Sequence, residues 1–559
     1  MSGAEGTQNE AGQPAAGGLT PAQAQKPSAG ASAGSPTLAP VAGPTLGPAE
    51  GAGRIRLLIT AEEAYPTFER LVLSAEREIV MGFRIFDPQT ELRSAEGLAI
   101  GRTWVDLLVH ALRRGVDIRL WLSDFDGAAA TDLHQGTWKT VSILTGIREL
   151  AGAEAPGTLT VLPRLHPSRP GTLARVLLTP LIRTRLSKVA REALKEKREG
   201  HGQGLKTMPG VSAMLRRRFG QGMPSWPVTH HQKLASVDGR WLYIGGLDLN
   251  ERRWDTRGHD QVSQGTWHDL QVLIDDPGLA EAGRAHLENF DDVTEARADP
   301  VPAAGLLRTI SARRRKSHPF RLGPKKVVTE IETRHHARIK RATRLIYLET
   351  QFFRDRDLAR ALAARAREVP DLKLILVMPA APETAAFDDP PTLDARYGDY
   401  LQLACLDIVR AAFGEERMLV ASPVQPRVCR DDDCPAPRAC LAGAPIVYLH
   451  SKLSVFDGAA AILSSANLNG RSLHWDTEAG VELTAEDEVS HIRKRIQEMW
   501  LGEPAELHPL DDAFDHWVEA VHRNAAEPPS ERHGFLVPYD PAAARAQAVP
   551  LPLVPPEMV

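Results

Sequence analysis

From Arg54 onward the chain alternates between two patterns of apolar and polar positions. Apolar residues recur three and four apart through AEEAYPTFERLVLSAE (61–76) and TWVDLLVHALRR (103–114). They run almost unbroken through REIVMGFRIF (77–86) and VDIRLWLSDF (116–125). The first pattern predicts helices with one buried face, the second strands buried on both faces. Thr60 is placed to cap the first helix and Gly115 to close the second. The same order returns later. VVTEIETRHHARIKRA (327–342) reads as a helix, TRLIYLETQFF (343–353) as a strand, DRDLARALAARAREV (355–369) as a helix and LKLILVMPA (372–380) as a strand. Apolar strands interleaved with helices predict a parallel or mixed sheet covered on both faces. A repeat on this scale predicts an α/β protein of two similar α/β/α lobes related by a pseudo-twofold axis. They span residues 54–300 and 327–520, joined by a linker over 301–326.

At 559 residues and 43% hydrophobic, the chain can fill two such cores. Residues 1–53 are mostly Ala, Gly, Pro, Ser and Thr, too poor in bulky apolar groups to offset the entropy of ordering. They read as a disordered leader without the basic and apolar regions of a secretory signal. Nor is there a run of about 18 apolar residues that would predict a membrane span. The expectation is a cytoplasmic protein or one peripheral to a membrane, with signal-independent secretion as the alternative. A Pro- and Ala-rich tail, 521–559, is expected to lie extended along the surface of a monomer.

The net charge of −4 excludes a chain-wide polyelectrolyte for nucleic acid, but the charge is uneven. A basic insertion occupies 164–228, densest over 164–218, and the linker carries a basic run over 313–326. Solvated faces are one reading. Contact with anionic lipid is the other, at about 1 kcal/mol per well-placed basic residue. A nucleic-acid backbone would be served as readily, though the overall charge makes it the lesser candidate. Of four cysteines, Cys405 sits in an apolar segment and reads as core. Cys429, Cys434 and Cys440 share one Pro- and Asp-rich loop. They are either a partial metal site lacking a fourth ligand or one disulfide with a free thiol.

The chemistry lies in two short stretches. HHQKLASVD contains His231, Lys233 and Asp238; HSKLSVFD contains His450, Lys452 and Asp457, at the same spacing. On a strand, His and Lys two apart point the same way. A pair of small residues follows each aspartate by seven positions, Gly245-Gly246 and Ser464-Ser465. If the pairs meet across the pseudo-twofold axis, two imidazoles and two ammonium groups surround one small anion. Displacement at phosphorus needs that set: one imidazole attacks, the other carries the proton, and the lysines offset transition-state charge. No cofactor is then required and no metal is assigned. Asp238 and Asp457 lie too far along the strand to share the site and read as structural. His230 should point away from His231.

These stretches, with GGLDLNERRWDT, TWHDLQV, IYLETQFF and SSANLNGRSLHWDTEAGVEL, resemble the phospholipase D superfamily and, within it, the eukaryotic-type catalytic core. The resemblance runs over roughly residues 54–510. It implies two lobes with the site at their interface, a covalent phosphohistidine, and a phospholipid membrane surface as substrate. By it His231 is the nucleophile and His450 the acid/base. Asn467 helps hold phosphate, with Asp248 as its first-lobe counterpart. Asp269 and Glu478 are the acids that orient the histidines, assigned as Asp269 to His231 and Glu478 to His450. Thr350 and Ser464 depart from the family's usual residues. The implied activity is hydrolysis of glycerophospholipids such as phosphatidylcholine to phosphatidic acid, with possible transfer to alcohols. The alternatives are a cardiolipin synthase-like phosphatidyltransferase, a nuclease of the same superfamily, or an inactive membrane-binding scaffold.

Overall fold

The computed structural model describes residues 53–127, 130–169, 228–315, 323–388, 390–502, 507–552 and 554–559. The leader, most of the basic insertion and the centre of the basic linker lie outside the described residues.

The first sheet contains β1 (Ile55–Ile59), β2 (Glu78–Phe83), β3 (Asp117–Asp124), β4 (Leu159–Leu165), β5 (Leu234–Val237), β6 (Trp241–Gly245) and β7 (Leu270–Asp275). The second contains β8 (Leu306–Ala312), β9 (Lys325–Thr329), β10 (Leu345–Thr350), β11 (Lys373–Val377) and β12 (Met418–Pro423). After a short ribbon of β13 (Cys440–Leu441) and β14 (Ala444–Pro445), it continues with β15 (Lys452–Phe456), β16 (Ala460–Ser464), β17 (Glu478–Leu483) and β18 (Leu536–Pro538). The first sheet has the order β4-β3-β2-β5-β6-β7-β1, and the second repeats it as β12-β11-β10-β15-β16-β17-β8. The sense of every pairing repeats too: parallel on the β2/β3 and β10/β11 side, antiparallel from β5 and β15 onward. The fold is thus a mixed α/β arrangement in two copies, with β9 and β18 added at the edges of the second.

Three differences from the sequence reading follow. Leu306–Ala312, inside the stretch read as linker, is the second-lobe equivalent of β1; its basic flank masked a short apolar strand. The C-terminal stretch is not simply extended. The helix Leu510–Ala526 precedes β18, which pairs with β12, and a further helix spans Ala542–Gln547. Thr60 does not cap its helix. Ile59 is the boundary residue, because the helix springs directly from β1, and the Thr60 amide donates to the Asp269 carbonyl instead.

Helices Thr60–Ser74 and Trp104–Arg113 pack in the first lobe, the latter opened by a Thr103/Asp106 capping box. In the second lobe, helix Arg356–Glu368 is capped by Asp355. One buried apolar cluster is shared by both sheets, joining Ile244 and Val272 to Leu453, Leu463 and Val481. Burying each such side chain contributes roughly 1.5–3 kcal/mol, so the two lobes have one continuous core between them. Among the described residues no helix is long and apolar enough to cross a membrane.

Candidate active site

Both His-x-Lys pairs sit where β5 and β15 begin. Lys233 and Lys452 are buried, and His231 and His450 nearly so. Each lysine folds back on its own histidine. Lys233 Nζ donates to the His231 carbonyl at 2.6 Å and lies 3.4 Å from its Nδ1. Lys452 Nζ donates to the His450 carbonyl and lies 2.9 Å from its Nδ1.

The acids reach across the interface. His231 Nδ1 is 3.0 Å from Glu478 Oε2, and His450 Nδ1 is 2.6 Å from Asp269 Oδ2. The sequence-based pairing of each acid with its own lobe's histidine is therefore reversed. The cause is in the backbone. His231 and Gln232 amides donate to the Thr477 carbonyl, and the His450 amide donates to the His268 carbonyl. Each lobe's approach to its histidine is thus laid beside the other lobe's acid-bearing strand.

Two small residues make room for the acids, in different ways. A Cβ on Gly246 would meet Asp269 Oδ1 at 2.1 Å, so only glycine fits. Its counterpart Ser465 donates its hydroxyl to Glu478 Oε2 at 2.5 Å. Trp267 packs on His450 with ring centroids 4.7 Å apart, and Arg253 stacks 3.5 Å above the Trp267 ring.

The electrostatics favour neutral imidazoles. Burial, then the adjacent lysine, pushes His231 and His450 well below the ordinary histidine range. Burial lowers Lys233, and lowers Lys452 to about 7. Burial and the nearby Asp476 raise Glu478 to about 8; burial raises Asp269. A neutral imidazole that gives its Nδ1 proton to a carboxylate presents a lone pair at Nε2. Between them, two such imidazoles can attack phosphorus and exchange a proton with the departing and entering oxygens.

The remaining sequence candidates fall in three places. Asn467 is at the site, its Nδ2 donating to Gln351 Oε1 at 3.1 Å. Asp248 is beside it, but its Oδ1 accepts the Ile85 amide at 2.9 Å and its Oδ2 lies 3.9 Å from Lys233 Nζ. A carboxylate so placed offers a phosphate no donor, which corrects its assignment as a phosphate ligand. Asp238 and Asp457 sit at the far ends of β5 and β15. Each accepts three consecutive backbone amides: Glu76, Arg77 and Glu78 for Asp238, and Thr343, Arg344 and Leu345 for Asp457. His230 points away, its Nδ1 2.9 Å from Thr477 Oγ1 and its ring against Phe290.

Sequence reasoning missed Arg84, Arg253 and the distinct duties of Gly246 and Ser465. Arg84 had a signal, a lone charge inside the apolar run GFRIF. Away from the dyad, Cys434 and Cys440 form a disulfide, and the free Cys429 sulfur is 2.7 Å from that of Cys440. All three sulfurs lie within 4.8 Å of one another, so in reduced form they are also a candidate metal-binding group.

Residues 336–500, which include the second motif, match the family model described as cardiolipin synthase, PLD-like domain. Over that stretch, under half of its length, the chain resembles a phospholipase D-like domain. Among solved structures it is similar to phosphatidylserine synthase of Haemophilus influenzae Rd KW20, at 11% identity and a TM-score of 0.46, over 85% of this chain and 94% of that one. It is also similar to polyphosphate kinase of Porphyromonas gingivalis, at 11% identity and a TM-score of 0.40, over 80% of this chain. The chain spans 47% of that kinase's length. No curated protein matches it.

Proposed function

We propose that the protein is a phosphatidyltransferase. It moves the phosphatidyl group of a glycerophospholipid to an alcohol, with water as the competing acceptor. Transfer to water would be the hydrolytic phospholipase D reaction, giving phosphatidic acid. The observation that carries the reading is the match of residues 336–500 to the cardiolipin synthase PLD-like domain, which coincides with half of a complete two-histidine site.

His231 Nε2 attacks phosphorus, an N–P bond forms, and the bond to the headgroup oxygen breaks. His450 gives a proton to that leaving oxygen. Burial, then Lys452 and Arg253, hold His450 below the ordinary histidine range, which favours the neutral ring in the free protein. The incoming phosphate anion offsets the repulsion from Lys452 and Arg253, so His450 takes up its proton as substrate binds. It then removes a proton from the incoming alcohol, whose oxygen displaces His231 and restores the free imidazole. Lys233, Lys452 and Asn467 meet the non-bridging oxygens. The two lysines supply the positive charge this step calls for, and no cofactor is needed. The substrate lies in a membrane surface, which basic residues within 164–218 and 313–326 would approach.

The test uses vesicles of mixed phosphatidylcholine, phosphatidylethanolamine and phosphatidylglycerol, with a primary alcohol and no added metal. Formation of a phosphatidyl-alcohol, lost in His231→Ala and His450→Ala, supports transfer. Phosphatidic acid alone makes the protein a hydrolase. No turnover of any lipid, with cleavage of single-stranded DNA, replaces the reading with a nuclease.

A further inference from the structure

The two lobes match strand for strand, yet the charges beside the dyad do not match. Gly82 pairs with Leu234, the residue after Lys233, and Glu349 pairs with Leu453, the residue after Lys452. Two residues further on, Arg84 therefore stands where Gln351 stands in the second lobe. An independent contact fixes the same register: Phe86 bridges Leu249 and Phe353 bridges Leu468. The residues just before those leucines are Asp248 and Asn467. So the second lobe has a neutral pair, Gln351 with Asn467, and the first has a charged pair, Arg84 with Asp248.

The two pairs carry the same total charge but distribute donors differently. In the second lobe Asn467 and Gln351 bond to one another, and the other amide atom of Asn467 has no hydrogen-bond partner among the described residues. In the first, Asp248 is taken up by the Ile85 amide and Lys233, and has no hydrogen to offer. Arg84 has donors to spare. Its Nε is buried without a hydrogen-bond partner among the described residues, and its guanidinium lies 5.4 Å from the Phe125 ring centroid. Its charge also bears on His231, Lys233 and His450. Arg84 is half-buried with its Nε closed off from solvent, and the carboxylates of Asp248 and Asp476 act on its charge, so a guanidinium with an unmet buried donor is placed to take an anion.

We propose that Arg84 is a phosphate-binding residue, donating to a non-bridging oxygen of the substrate from the first-lobe side, with Asp248 as the carboxylate that balances its charge. In this account Arg84 replaces the donor that the first lobe loses by having Asp248 where the second has Asn467. The proposal rests on the phosphodiester reading of the site, and not on which lipid or alcohol is used.

The experiment compares wild type with Arg84→Gln, Asp248→Asn and the double variant Arg84→Gln/Asp248→Asn, which copies the second-lobe pair into the first. Inorganic phosphate is titrated by calorimetry, and kcat and KM are measured on the vesicles above. Arg84→Gln should weaken phosphate binding at least about tenfold and lower kcat/KM by roughly 10²-fold, as for the loss of one oxyanion donor. The double variant should regain at least about tenfold over Arg84→Gln, which loss of packing alone would not produce. Arg84→Lys should fall between wild type and Arg84→Gln, since it keeps the charge and loses the fork. Phosphate affinity in Arg84→Gln within about twofold of wild type, or a double variant no better than Arg84→Gln, overturns the proposal. The phosphate titration does not depend on lipid turnover. Absent turnover in wild type with an Arg84-dependent phosphate affinity would sink the phosphatidyltransferase reading and leave this one standing.

Discussion

His231 and Glu478 are 247 residues apart in sequence and 3.0 Å apart in space, and they belong to opposite lobes. His450 and Asp269 make the reciprocal contact at 2.6 Å. Neither lobe therefore holds a complete histidine–acid unit. Orientation of each imidazole depends on the interface being formed, which ties catalytic competence to docking of the two sheets.

The crossed pairing has a direct consequence. Asp269→Asn should perturb the Nδ1 resonance of His450 and leave that of His231 unchanged; Glu478→Gln should do the converse. Nitrogen NMR of histidine-labelled protein reads this out. Each substitution should also lower kcat by roughly 10²–10⁴-fold, since an amide in place of the acid favours the wrong tautomer. A His231 shift in Asp269→Asn would restore the within-lobe pairing.

Most of the fold could be read from the sequence because the strands it depends on are apolar on both faces, as in VDIRLWLSDF. β8 escaped notice because the four hydrophobic positions in LLRTISA are broken by an arginine and followed by a basic run. The histidines and lysines could be read because their spacing is local and occurs twice. The acid pairing could not, because it depends on which strand end crosses the interface, and nothing in a symmetric repeat records that. Arg84 was passed over for a different reason: it sits in an apolar run that strand periodicity alone already explained.

Gly246 and Ser465 occupy equivalent places and should not be interchangeable. In Gly246→Ala the new Cβ meets the Asp269 carboxylate and must displace it from His450. We expect kcat to fall at least about tenfold while KM changes little, because the loss is in orientation. Ser465→Ala removes the hydroxyl that donates to Glu478 and accepts the Ala479 amide at 3.1 Å but adds no bulk, so its effect should be milder, about 1 kcal/mol in transition-state stabilisation. Steady-state kinetics on both variants tests the order. An inactive Ser465→Ala beside a normal Gly246→Ala would reverse the account.

Asp238 and Asp457 bind backbone rather than substrate. Both have positive φ, 53° and 52°, and each is followed by a glycine at 64°. Each carboxylate also holds three amides from the turn leading into β2 or β10. Alanine at either position loses those acceptors and is strained at that φ. Asp457→Ala should cost about 2–4 kcal/mol in urea unfolding, and Asp457→Asn less, since Asn tolerates the conformation and keeps one acceptor. Activity per folded molecule should survive in Asp457→Asn. A stable, inactive Asp457→Ala would make the aspartate catalytic.

Lys452 sets the last expectation, where function and stability oppose each other. Burial lowers it from its ordinary 10.5 to about 7. Between those values the unfolded chain binds more protons at this residue than the folded one, so the folded state gains stability as pH rises through the window. Below pH 7 the buried ammonium imposes its full penalty; above about 10.5 it imposes none. Lys452→Met removes the charge and keeps most of the volume. It should abolish turnover, yet unfold at higher denaturant than wild type at pH 6, with the advantage shrinking by pH 9. Guanidinium unfolding at the two pH values is the measurement. A Lys452→Met variant less stable at pH 6 would mean that the ammonium is held by Asp269 and Glu478 more strongly than burial opposes it, and the lysine would then hold the lobes together as well as bind phosphate.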